Sequence, residues 1–174
     1  MSGFLNAVVR TVALLWTLLI TALIGNVIAS NVDASSSAEA AVNFTMFVAA
    51  LSWVVCLYGL ASAFFAGLGR PVVMLPLDVL LVLFTFINAI VLAAKLRAPN
   101  CGNIHPADLP GGWIGYGSRD TEKRCREIQA CTAFMWFLWA TASAALFLTV
   151  REARAGGLGR SIRSGRPSMS QVGV

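Results

Sequence analysis

Four long apolar runs constrain this chain more than any other feature. Val8–Ala29, Phe44–Ala66, Val72–Ala94 and Ile128–Val150 each continue for about 22 or 23 residues. At 1.5 Å rise per residue, a helix of that length crosses a hydrocarbon layer of roughly 30 Å. A hydrophobic content of 57%, only 12% charged residues and a mean hydropathy of +0.75 exclude an ordinary soluble fold. The expected fold class is an all-α membrane protein, with a four-transmembrane-helix antiparallel bundle over residues 1–150 and a disordered basic tail over 151–174. The runs use most of the 174 residues, so a separate soluble catalytic domain has no room and a non-enzymatic role is expected.

Connection lengths and charges set the expected topology. Gly67-Leu68-Gly69-Arg70-Pro71 is so short that the second and third runs must be antiparallel neighbours. An even number of crossings puts both ends of the chain on one side. Basic residues are almost evenly divided between the two sides, so their number alone barely decides the orientation. The first connection, Ser30–Asn43, lacks Lys and Arg altogether, and Arg10 stands at the entry to the first run. Both features place the termini in the cytoplasm. A cysteine pair in the third connection agrees, because disulfides persist on the extracytoplasmic side. The first run exceeds the 7–15 residues or so of a signal-peptide core, so it is read as an uncleaved span.

Small residues recur at four-residue spacing in three runs: Thr17, Thr21 and Gly25; Gly59, Ala63 and Gly67; Ala140 and Ala144, beside a second row of Thr141 and Ala145. Such rows let helix backbones approach closely in lipid, where association depends on packing rather than water exclusion. They imply a compact bundle, and their number suggests a homo-oligomer. They do not reveal whether a given row meets its own bundle or a second copy. The third run is the most polar inside. Asp78, Thr85, Asn88 and Lys95 share one helical face at 100° per residue. A charge at the bilayer centre costs roughly 2.5–3.5 kcal/mol on insertion scales, so this face should meet protein or water. The simplest explanation leaves Thr85 and Asn88 as interhelical hydrogen-bonders, with Asp78 about two turns from the cytoplasmic end and Lys95 snorkelling at the outer end. A conduction path and, for Asp78, a lipid-headgroup contact are the alternatives.

The third connection is rich in turn residues and is bracketed by Cys101 and Cys125. A bridge between them would close a loop of about 25 residues, stabilising by roughly 3–4 kcal/mol in the chain-entropy picture. Cys131 is the rival partner for Cys101, but it lies within the fourth apolar run, so Cys125 is preferred. Cys56 reads as a small buried hydrophobe. The sole histidine, His105, has no companion ligands, and neither a Cys-x-x-Cys motif nor a phosphate-binding glycine loop occurs. No metal, cofactor or catalytic group is expected. Asn43-Phe44-Thr45 is a formal glycosylation sequon, but it abuts the second run and the bilayer.

The tail carries Arg151, Arg154, Arg160, Arg163 and Arg166 among Gly, Ser and Pro. Beside a membrane, this excess charge points to anionic inner-leaflet lipid rather than nucleic acid, at about 1 kcal/mol per residue near the surface. Serine phosphorylation between the arginines would weaken that attraction.

Four spans, no cysteine in the first extracytoplasmic loop and a pair around the second extracytoplasmic loop resemble the MARVEL tetraspan architecture. More closely, the chain resembles the fungal non-classical export protein 2 family. The carrying stretches are Asn43-Phe44, Arg70-Pro71-Val72 through Leu77-Asp78, Phe84-Thr85-Phe86, Arg97 with Cys101, and Arg124-Cys125-Arg126. Gln129-Ala130, Thr132-Ala133-Phe134 and the terminal Pro167-Ser168-Met169-Ser170-Gln171-Val172 complete them. Cys131, where that family tends to carry Ser, and the additional Gly173-Val174 are the departures. The resemblance implies a plasma-membrane organiser of eisosome-type lipid domains, linked to sphingolipid-responsive signalling and to export of proteins lacking signal peptides. Bound sterol or sphingolipid, and cytoplasmic eisosome scaffold proteins, are the partners it implies. The competing expectation is a small transporter or channel built on the polar stripe from Asp78 to Lys95.

Overall fold

The computed structural model describes residues 2–64, 71–97, 99–104 and 109–155. Four helices account for nearly all of them: α1 (Ser2–Ala29), α2 (Ser36–Phe64), α3 (Pro71–Leu96) and α4 (Thr121–Ala155). All four are long and apolar enough to cross a membrane. Packing runs around a square. α1 lies against α2 and α4, and α3 lies against the same two, so α1 and α3 face each other across a diagonal. Large apolar side chains such as Leu18, Phe47, Leu57, Leu83 and Phe137 point outward, as a lipid solvent permits. Inside, Ile20, Ile24, Val48, Val55, Leu81, Leu92, Met135 and Leu138 form the core.

The helices outrun the apolar stretches that announce them. α2 begins at Ser36 rather than near Phe44, because Ser35 caps it, accepting at Oγ from the Ala38 N–H at 3.3 Å. α4 begins at Thr121 rather than Ile128, because the Asp120 carboxylate accepts from the Lys123 N–H at 2.9 Å. Polar side chains in these extra turns remain outside the hydrocarbon, so helix and span need not share an end. α4 also continues to Ala155, which makes Arg151 and Arg154 helical rather than part of a disordered tail. Arg151 lies over the Phe147 ring at 5.9 Å.

At the end of the bundle opposite the termini, the two loops fold together into a plug. Cys101 and Cys125 are joined in a disulfide with a Cα–Cα distance of 5.7 Å. Trp113 is buried, donates its indole N–H to the Leu96 carbonyl at 2.8 Å and so caps the end of α3. Buried Arg124 donates from Nε to the Ile114 carbonyl at 3.1 Å and from Nη1 to Asn31 at 3.2 Å. The first loop joins through Val32, whose N–H donates to the Gly117 carbonyl at 2.8 Å. Gly117 has φ +98°, and a Cβ there would run into the Ala34 backbone at 2.6 Å. Gly111 in the same loop has open space around it. Gly117→Ala should therefore lower thermal stability, by about 1–3 kcal/mol for the left-handed backbone, plus the cost of moving Ala34. Gly111→Ala should be nearly silent. Equal melting temperatures for both variants in detergent would contradict this account of the plug.

Candidate functional site

The chain's most concentrated buried chemistry lies in the half of the bundle nearer the termini. Arg10 on α1 and Asp78 on α3 are each 1% exposed. Each lies about 11 Å along its helix from the N-terminal end, at 1.5 Å per residue, and the two helices point the same way. Equal depth lets the guanidinium reach across the diagonal. It does so with a two-pronged pair: Nη1 donates to Asp78 Oδ1 at 3.1 Å and Nη2 to Oδ2 at 2.8 Å. The planar fork of Arg matches a carboxylate in this geometry, which a lysine could not reproduce.

The other two helices complete the cage. Thr149 of α4 donates its hydroxyl to Asp78 Oδ2 at 2.8 Å and accepts from Arg10 Nη2 at 3.3 Å. Gly59 of α2 is the wall behind the arginine; a Cβ there would collide with Arg10 Cδ, Nε and Cζ. Asn6, one turn before Arg10, accepts from its Nε at 3.2 Å and donates to Glu152 at 3.4 Å. All four helices thus meet at one ion pair. Desolvating two charges is expensive, and their attraction offsets the cost only when the remaining lone pairs and protons are also satisfied. Thr149 and Asn6 provide that satisfaction.

The rest of the polar stripe turns inward without forming a continuous line. Thr85 and Asn88 are fully buried, and Lys95 is half-buried. The Thr85 hydroxyl bonds its own helix, donating to Leu81 O at 2.7 Å. Asn88 bonds across to α2, its side-chain oxygen 3.1 Å from the Thr45 hydroxyl, while its Nδ2 has no partner among the described residues. Buried Leu81 separates Asp78 from Thr85, and buried Leu92 lies beyond Asn88. Asp78 is therefore the acid of an ion pair and not a headgroup contact, and of the two expected interhelical hydrogen-bonders only Asn88 reaches another helix, because the Thr85 hydroxyl is taken up by its own backbone. Arg10, which reads in the sequence as a topology marker, is its partner. The recognisable sign is an Arg and an Asp at matching depth in two co-directional spans.

The small-residue rows also sort differently from expectation. Gly59 accommodates Arg10 inside its own bundle and does not offer a face to a second copy. Thr17 is buried, and Thr21 accepts from the Trp53 indole N–H at 3.1 Å, tying α1 to α2. On α4, Ala142 and Ala145 pack inside, whereas Ala140 and Ala144 face outward. The side chain of Ala63, together with Gly67, Arg160, Arg163 and Arg166, lies outside the described residues.

With this geometry in view, comparison with known proteins places the chain. Residues 3–148 match the family model of MARVEL, the membrane-associating domain. The chain belongs to the MARVEL family, alongside non-classical export protein 2. It is 35% identical over 135 residues to Saccharomyces cerevisiae non-classical export protein 2, a match covering 76% of this chain and 75% of the yeast protein. It is 38% identical over 97 residues to that yeast's non-classical export protein 2 homolog 1, covering 55% of this chain and 53% of the relative. No solved structure matches. Within this MARVEL bundle the ion pair fixes the role of Gly59. Gly59→Leu should displace Arg10 and cost about 3–5 kcal/mol, as breaking a buried pair does. Ala140→Leu should leave the fold within about 0.5 kcal/mol. Thermal unfolding in detergent checks both, and comparable losses would contradict the assignment.

Proposed function

We propose that this MARVEL protein is a non-enzymatic organiser of plasma-membrane lipid domains of the eisosome type, with both termini cytoplasmic. The observation that carries the reading is the pinned interior. The two charges buried deepest in the spans, Arg10 and Asp78, neutralise each other, and apolar side chains interrupt the polar stripe on α3. Such a core supports a rigid body whose outer face acts on its surroundings. That face carries aromatic and aliphatic groups in contact range of lipid, including a cluster of Phe86, Trp136 and Trp139 with ring centroids 5.4–6.1 Å apart. Sterol and sphingolipid are the lipids it would gather. The outward row Ala140 and Ala144 offers close approach to a second copy, so lateral assembly of homo-oligomers belongs to the same proposal.

Family membership supports the membrane role, and the name of the yeast relative supports an association with non-classical protein export. The transporter reading is the weaker one, because its central acid is already engaged by a guanidinium and a hydroxyl. Localisation within the inner leaflet falls to the basic tail in this proposal, with Arg160, Arg163 and Arg166 binding lipid phosphate and eisosome scaffold proteins as neighbours.

The tail separates the two recognition modes experimentally. Replacing Arg160, Arg163 and Arg166 together with Gln should remove about 3 kcal/mol of lipid attraction. A fluorescent fusion should then reach the plasma membrane but spread evenly, while a chain truncated after Pro167 should still form patches. Normal patches from the triple variant together with dispersal of the truncated chain would replace lipid electrostatics with a protein partner.

A further inference from the structure

A second polar site lies at the opposite end of the bundle. A cleft of about 380 Å³ opens between the end of α1 and the start of α4. Its volume falls within the roughly 300–1,000 Å³ usual for small-ligand sites. Arg119, Lys123 and Arg124 line it, together with Asp120 and Glu127. Three cations against two carboxylates leave a formal excess of one positive charge.

Arg124 does not add to that excess, because Glu39 as well as Glu127 offsets its charge. Asp120 already caps α4, and Glu127 accepts from Asn26 of α1. Arg124 is buried and spends its donors on Ile114 and Asn31. Lys123 is 62% exposed and only 3.9 Å from Glu127, a loose contact. Arg119 has no acidic partner among the described residues. The cleft therefore offers two exposed cations, Arg119 without an acidic partner and Lys123 only loosely held, as donors for a monoanion.

Position says which monoanion. The cleft is lined by Ala29, where the first apolar run ends, and by Glu127, immediately before the fourth begins. It straddles the boundary between hydrocarbon and headgroups. Below it, exposed Phe137 on α4 packs against Trp16 of α1 with ring centroids 5.3 Å apart, so the seam between the two helices presents an apolar surface. Asn26–Glu127, Trp16–Phe134 and Asn6–Glu152 mark successive contacts along this α1–α4 seam. We infer that the cleft receives the phosphodiester headgroup of a membrane lipid from the leaflet on the loop side, with an acyl chain lying along the seam. The inference rests on the chain spanning a membrane and is independent of the tail and of domain organisation.

Native mass spectrometry of the full chain, released from micelles holding equal amounts of phosphatidylglycerol and phosphatidylcholine, tests it. The wild-type protein should retain one phosphatidylglycerol per chain in preference to phosphatidylcholine. Arg119→Gln with Lys123→Gln should weaken that retention about twenty-five-fold, the product of a fivefold loss for each basic residue at a lipid surface. Glu127→Gln should strengthen it. Arg126→Gln removes the same charge from the same helix outside the cleft, so it should behave as wild type. Soluble glycerol phosphate shares the anion but lacks the chains, and it should not displace the lipid at matched concentration. Absence of a phosphatidylglycerol preference, or equal losses from Arg126→Gln and the double variant, would overturn the site. Displacement by glycerol phosphate would overturn the lipid as occupant in favour of a free phosphate ester.

Discussion

The bundle depends on one ion pair. Arg10 and Asp78 sit on diagonal helices whose backbones do not touch, so the pair bridges the centre of the square rather than one of its sides. Removing either partner would leave a full charge in a low-dielectric interior, a cost the hydrophobic effect cannot repair in lipid. Its neighbours follow from it. Thr149 must carry a hydroxyl to satisfy both ions, Asn6 must reach Arg10 Nε, and Gly59 must lack a side chain. Lipid provides little push to bring helices together, so directional contacts of this kind select one packing among several compact ones.

A different device closes the loop end. There, water is near and loops can be ordered by ordinary means: a disulfide, a buried indole and a buried guanidinium bonded to a backbone carbonyl. Gly117 lets the two loops share hydrogen bonds at a backbone angle other residues avoid. The plug fixes the start of α4 relative to the end of α1, and so shapes the charged cleft between them. The two ends thus divide the work. One pins the helices internally, and the other presents charge at the membrane surface.

Much of the architecture was legible in the sequence, because lipid makes apolar run length a nearly direct reading of span number. Inward-facing Asp78, Thr85 and Asn88 were legible for the same reason, since a buried polar group must lie on a protein-facing side. Helix ends were not, because Ser35 and Asp120 cap outside the hydrocarbon, where hydropathy carries no signal. The partner of Asp78 was missed because Arg10 near a terminus also serves as a topology signal, and one residue can do both. Periodicity found small rows on α4 but could not orient them: Ala140 and Ala144 face outward, whereas Ala145, the next residue around the helix from Ala144, faces inward. Trp113 was hidden in a polar, turn-rich stretch where an indole is easily passed over.

A double-mutant cycle on the central pair tests this account most directly. Arg10→Met, Asp78→Leu and the combined variant would be compared by reversible unfolding in a single lipid or detergent system. Each single variant should lose several kcal/mol, about 3–5 by analogy with other broken buried pairs. The combined variant should lose much less than the sum, because it leaves no uncompensated charge, giving a coupling of roughly 1–3 kcal/mol or more. Single variants that are nearly silent, or losses that simply add, would contradict the claim that this ion pair holds the bundle.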